Sequence, residues 1–294
     1  MNTTTTTTEY RAASRVFTAP KAHDGDGVEL RRAFPGTTVT DLDPFLLLDQ
    51  MGPTEFRPGD ARGFPPHPHR GFETVTYLLS GEMQHRDSWG NHGVLRPGDV
   101  QWMTAGSGLV HSEMPAESLR REGGRLHGFQ LWINLPRKDK MIAPRYQDTS
   151  AARIPVAHNA EGTVTAKVIA GEALGTRGVI DTRIPILYVH LTLEPGATYI
   201  QEIPKTENAF AFIIDGQGTL GGGRAAENQV VVFDRGGNAV EISNTGTKTL
   251  SLLLIAGEPI GHPVARYGPF VMNSREELLQ AVNDFQAGRM GVLD

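Results

Sequence analysis

The sequence predicts an all-β chain of two tandem β-barrels closed by a short C-terminal helix. Three observations carry this. Short runs of apolar and β-branched residues recur with turn residues between them; 34 glycines and 19 prolines supply the turns; and 294 residues exceed what one hydrophobic core usually serves. The hydrophobic fraction of 39% suffices for packed cores.

In the first half, strands are expected at residues 45–48, 74–79, 100–103 and 129–133, with reversals at Ser80-Gly81 and Pro97-Gly98. Such even spacing of short strands favours an antiparallel sandwich or barrel over a parallel sheet with crossover helices. From Pro144 to Gly162 the periodicity fades into RYQDTSAARIPVAHNAEG, which places the domain boundary near residue 148. The domains are therefore expected at 1–148 and 149–294.

Strand rhythm resumes at 164–170, 184–193, 209–214, 230–233 and 250–255. The phrases Leu193-Glu194-Pro195-Gly196 and Asp215-Gly216-Gln217-Gly218 echo the turns of the first half, a weak internal repeat. Near the end, Ser274 and Glu277 have capping-box spacing, and Leu278, Leu279, Val282 and Phe285 follow at helical intervals. Gly288 is the expected stop, and packing on a barrel the expected role.

The net charge of -5 gives no general attraction to nucleic acid or anionic membranes. With no cysteine in the chain, thiolate sites, disulfides and thiol nucleophiles are excluded, leaving histidine and carboxylate as strong metal ligands. No apolar run reaches the roughly 20 residues that span a bilayer. The opening MNTTTTTTEYR lacks the basic and apolar regions of a secretory signal, so a cytoplasmic location is expected, with residues 1–10 as a disordered tail.

The chemistry concentrates in Phe64-Pro65-Pro66-His67-Pro68-His69-Arg70-Gly71-Phe72-Glu73. Residues two apart on a strand point to the same face, about 7 Å apart, so His67 and His69 can converge on one ion. A second pair of the same parity, His111 and Glu113, follows the glycine-rich Gly106-Ser107-Gly108. If the two strands face each other inside a barrel, three imidazoles and one carboxylate meet and leave positions open for water or substrate. That ligand set suits Fe(II), Mn, Ni, Co, Cu or Zn, with iron first because a histidine-carboxylate face with open positions suits dioxygen chemistry.

Other features have plainer readings. His23, His158, His190 and His262 stand apart from second ligands, while His85, His92 and His127 are read as surface or hydrogen-bonded core residues. Gln130 and Trp132 share a strand face, with ordinary packing the simpler role for the tryptophan. The Gly106–Gly108 run lacks the lysine and following helix of a phosphate loop. The clusters Arg120-Arg121 and Arg137-Lys138 read as solvated turns.

The wording HPHRGFETVTYLL with PGDVQWMTAGSGLVHSEMP resembles the pirin family of the cupin superfamily. The likeness continues through LWINLP at 131–136, the phrase from Lys140 to Gln147, IAGEP at 255–259 and GPFVMN at 268–273. It implies two jelly-roll cupin barrels, with the metal held by His67, His69, His111 and Glu113 and none in the second barrel. Glu73 occupies the position of the carboxylate ligand in general cupins, and here is an outer group or spare ligand.

The resemblance further implies a metal-dependent dioxygenase of the quercetin 2,3-dioxygenase type, opening a flavonol with O2 and releasing CO, with Glu113 as proton acceptor. The alternative is an iron-dependent regulator that binds a transcription factor or metabolic enzyme. A third is a cupin isomerase or a dioxygenase for another small molecule.

Overall fold

Apolar residues alternating with polar ones set the sheets. In strand Val28–Phe34, Val28 and Leu30 are buried while Glu29 is exposed. Strands covered on both faces read differently: Phe72–Ser80 and Leu250–Gly257 are near-continuous in β-branched, aromatic and aliphatic residues and almost wholly buried. The computed structural model describes residues 7–293.

Two compact units result. One comprises Pro20–Arg153 together with the chain from Ile260 onward; the other comprises Ile154–Pro259 together with the N-terminal segment ending at Ala19. The polar connection recognised near residue 148 thus lies just before the change of unit at Arg153, and the final segment packs with the unit that holds the paired histidines.

That first unit contains a 7-stranded sheet in the order Arg145–Thr149, Val100–Thr104, Phe72–Ser80, Gly124–Asn134, Phe45–Phe56, Val28–Phe34 and Lys21–Asp24. A 4-stranded sheet follows the order Phe64–His69, Leu109–Pro115, Met83–Asp87 and His92–Leu95. The second unit repeats the plan. Its 7-stranded sheet centres on Asn208–Asp215, Leu250–Gly257 and Ile186–Leu193, and its 4-stranded sheet orders Thr198–Glu202, Ala239–Ser243, Gln217–Leu220 and Gly223–Ala226. The all-β prediction of two barrels therefore holds.

Within the second unit, the strands Thr198–Glu202 and Ala239–Ser243 correspond by sheet order to the two histidine strands of the first. Their inward residues are Tyr199, Gln201, Val240 and Ile242, and Tyr199, Val240 and Ile242 belong to a large aliphatic core. Tyr199 Oη donates to Gln201 Oε1, and Gln201 Nε2 donates to the carbonyls of Glu172 and Glu202. Hydrocarbon packing thus fills the place that imidazoles occupy in the first unit.

The C-terminal helix runs Arg275–Gln286 with the expected capping box, in which Ser274 Oγ accepts from the Glu277 amide and the Glu277 carboxylate accepts from the Ser274 amide. It ends two residues before Gly288, whose φ of 70° reverses the chain. Leu278 and Val282 pack on a cluster containing Val110, Phe270, Ala281 and Met290. Leu279, expected on that face, is 56% exposed, and the buried polar residue is instead Asp284. The reason is an ion pair: Arg70 Nη1 lies 2.7 Å from Asp284 Oδ2, with both side chains largely covered.

Of the expected tail at 1–10, residues 1–6 lie outside the described residues. Glu9 and Tyr10 are ordered, the Glu9 amide donating to Asn238 Oδ1 and Tyr10 bridging to Ala239. Among the described residues no helix is long and apolar enough to cross a membrane.

Candidate metal centre

Strand pairing brings the two histidine motifs together. Strand Leu109–Pro115 pairs antiparallel with Phe64–His69 so that His111 lies opposite His67, and a register shift between His111 and Glu113 sets Glu113 opposite Phe64. The result is a triad: the ring centroids of His67, His69 and His111 are 4.4 to 4.9 Å apart. Their ligand nitrogens all lie within 4.8 Å of one another.

His67 Nδ1 donates to the Pro65 carbonyl at 2.8 Å, which turns Nε2 toward the other imidazoles. That Nε2 sits 3.0 Å from His69 Nε2. Two nitrogens bound at a right angle on a six-coordinate ion, with bonds of about 2.1 Å, stand about 3 Å apart. His111 is fully buried, and neither of its ring nitrogens has a hydrogen-bond partner. Burial, reinforced by the neighbouring imidazoles, pushes His69 and His111 well below the usual histidine range, so both are neutral and can each offer a lone pair. The three side chains therefore fit a divalent metal ion.

Glu113 is in the same cavity but outside the tight imidazole group. Its carboxylate is fixed by two side chains: Thr76 Oγ1 donates to Oε1 at 2.9 Å and Gln130 Nε2 donates to Oε2 at 3.2 Å. Glu73, buried, accepts from Thr104 Oγ1 at 2.6 Å and does not line the cavity. Sequence reasoning did not assign Thr76 any role. The signal was its parity with Thr74 and Glu73's neighbours on a strand whose partner, Gly124–Asn134, sets Gln130 opposite it.

The cavity is about 480 Å³ and mostly apolar, walled by Leu47, Met51, Phe64, Pro65, Pro66 and Trp132, with His67, His69 and Glu113 exposed to it. Trp132, expected to be simple packing, is half-buried and presents its ring to His69 at 5.1 Å and to Phe72 at 4.5 Å. Asp24, Arg32, Asp49 and Arg266 form the polar part of the lining.

The segment just after His69 is clamped. Arg70 donates to the Ser107 carbonyl and to Asp284, while Lys140 Nζ donates to the carbonyls of Gly71 and Val271 and to Asn134 Oδ1. Gly71 has φ of 88°, and a Cβ there would lie 2.0 Å from the Val271 carbonyl oxygen, so no other residue fits.

The remaining histidines do not join the triad. His85 stacks on Tyr146 at 5.3 Å and lies 3.5 Å from Asp148. His127 accepts from Gln50 Nε2, and burial lowers it to about 4. His190 pairs with Ser251, His158 with Thr165, and His262 Nδ1 accepts from the Arg137 amide.

Comparison with known proteins bears on this arrangement. The profile for pirin matches residues 27–133, and that for the pirin C-terminal cupin domain matches residues 188–291. The chain belongs to the pirin family. A pirin-like protein of Solanum lycopersicum is 45% identical over 273 residues, covering 92% of this chain and 89% of the relative. Pirin of Mus musculus is 43% identical over 273 residues, covering 91% and 90%. Among solved structures, quercetin 2,3-dioxygenase from Acinetobacter baumannii superposes with a TM-score of 0.90 at 32% identity, covering 97% of this chain and 100% of that one. This pirin thus has two cupin domains, and the first carries a histidine triad able to hold a metal.

Proposed function

We propose that this pirin is a metal-dependent dioxygenase of the quercetin 2,3-dioxygenase type, cleaving a flavonol ring with O2 and releasing CO. The observation that carries the reading is the joining of a histidine triad to a mainly apolar cavity of about 480 Å³. The likeness to the Acinetobacter enzyme supports it. Iron(II) is the proposed metal and Glu113 the proposed fourth ligand beside His67, His69 and His111.

Bound there, the ion would supply Lewis acidity toward a substrate oxygen and the electron chemistry that dioxygen requires. The chain's own residues do the rest. Leu47, Met51, Phe64 and Trp132 hold the planar ring and exclude water. Glu113 takes the proton of the flavonol hydroxyl at a carboxylate oxygen, and Thr76 at Oε1 with Gln130 at Oε2 fixes the orientation of that carboxylate. A cytoplasmic location goes with this reading.

The test is oxygen uptake and CO release with quercetin, measured on protein of known metal content. Turnover that tracks metal content supports the proposal. Bound metal without turnover would favour the iron-dependent regulator acting through a protein partner.

A further inference from the structure

The second unit has a cavity of its own. By sheet order, strands Ile186–Leu193 and Thr198–Glu202 hold the places that Phe45–Phe56 and Phe64–His69 hold around the metal centre, and a cavity of about 570 Å³ opens beside them. Its lining differs in kind, with no imidazole and many charges. Glu172, Asp181, Glu202 and Glu207 meet Arg177 and Arg183, so the carboxylates exceed the guanidiniums by two. Glu172 stands opposite Arg177 in a two-stranded ribbon, which matches one of each.

Glu207 is the residue in this lining that lacks a partner. It is only 8% exposed, and its carboxylate accepts no hydrogen bond among the described residues. The neighbouring cation does not serve it, because Arg11 commits its guanidinium to the carbonyls of Ile203, Pro204, Glu207 and Gly237. Burial lifts the Glu207 carboxyl to about 7, against the pull of Arg11 and with a push from Glu258. A covered carboxylate without a donor is unfavourable, and a cationic donor entering the cavity relieves it.

A metal ion does not fit this lining: among the described residues, only His67, His69 and His111 bring three ligand atoms within 4.8 Å of one another. The space is that of a small organic molecule. Ile180, Ile184 and Leu187 supply an apolar wall for a hydrocarbon stem.

We propose that this cavity binds an aliphatic organic cation, an ammonium or guanidinium group on a short hydrocarbon stem, with Glu207 as the group that receives it. The site shares no residue with the cavity of the metal centre. A bound cation favours the ionised carboxyl, so a proton on Glu207 competes with the ligand, and binding strengthens as pH rises through about 7.

The test is isothermal titration calorimetry of the full-length protein with agmatine, which carries an ammonium and a guanidinium at the two ends of a butyl chain, and with the dianion adipate. Wild type, Glu207→Gln and Glu202→Gln are compared at pH 6 and pH 8, with circular dichroism to confirm that each is folded. Wild type should bind agmatine about 10-fold more tightly at pH 8 than at pH 6, and Glu207→Gln should lose about 10-fold at pH 8 together with the pH dependence. Glu202→Gln, an exposed change in the same lining, should lose a smaller factor, and adipate should not bind. No saturable binding of agmatine by wild type, tighter binding of adipate, or an unchanged affinity in Glu207→Gln would overturn the assignment.

Discussion

His67 Nε2 and His69 Nε2 lie 3.0 Å apart, with the outer nitrogen of His67 already committed to the Pro65 carbonyl. Two imidazole lone pairs this close repel unless a proton or a cation lies between them. The pair is thus built for shared occupancy, and His111 closes the third side. Replacing His111 by alanine should lower metal content from near one ion per chain to near none while far-ultraviolet circular dichroism keeps its β signature. Elemental analysis of both proteins, purified without a metal-binding tag, checks this.

Thr76 and Gln130 both hold the Glu113 carboxylate, and with Glu113 as the proposed fourth ligand they act on the metal centre through it. Thr76→Val or Gln130→Leu frees one carboxylate oxygen, and each should cost about 10- to 100-fold in metal affinity or activity, the usual range for groups that orient a ligand. Metal competition against a chromogenic chelator measures the first and quercetin turnover the second. Unchanged values in both variants would mean that Glu113 needs no fixing.

The Arg70–Asp284 pair couples the residue after His69 to the C-terminal helix. Truncating Arg70 to alanine takes the partner from Asp284 Oδ2 while Arg289 and Gln280 still hold Oδ1, at a cost of about 1–3 kcal/mol in a denaturant titration. Burial alone would raise the Asp284 carboxyl, but hydrogen bonds from Arg70, Arg289 and Gln280 outweigh it and hold the group at about 2. Its folded value is depressed below the unfolded 3.8, so its stabilising contribution is present above pH 4 and fades as pH falls from about 3.8 to about 2. In Asp284→Asn that part of the acid sensitivity should vanish.

Lys140 carries a cost where Asp284 carries a contribution. Burial pushes its ammonium down to about 8, against 10.5 in the unfolded chain. Below pH 8 both states are protonated and the folded one bears the full cost of burying the charge. Between about 8 and 10.5 the unfolded chain binds more proton, so this term makes stability rise with pH. Lys140→Met leaves the acceptors on Gly71, Asn134 and Val271 without their donor, a loss of about 1–3 kcal/mol. Urea titrations at pH 8 and pH 10 should show the wild-type advantage over this variant growing with pH.

Much of this architecture was legible in the residues. The runs at 74–79 and 100–103 became Phe72–Ser80 and Val100–Thr104, because apolar and β-branched side chains there are buried on both faces. Shorter strands such as Met83–Asp87 and His92–Leu95 were not legible: four or five residues of mixed polarity carry no period, and only the neighbouring sheet defines them. The packing of the chain from Ile260 onward with the first unit was equally invisible, since it depends on long-range pairs such as Arg70 with Asp284.

At the metal centre, parity alone put His67 and His69 on one face, and the structure joins His111 to them. The register shift that turns Glu113 toward Thr76 and Gln130 has no local sequence signature, because it arises from how two strands pair. Arg266 was silent for a related reason. Its place beside Trp132 comes from a hairpin more than a hundred residues along the chain.

The most direct measurement is metal content and quercetin-dependent oxygen uptake with CO release, taken on the same preparation of wild type and His111→Ala. The expected result is about one metal ion per wild-type chain with turnover, and loss of both in the variant. A wild-type protein that stays metal-free after reconstitution, or a metal-free variant that still turns over quercetin, would contradict the metal centre and the reaction built on it.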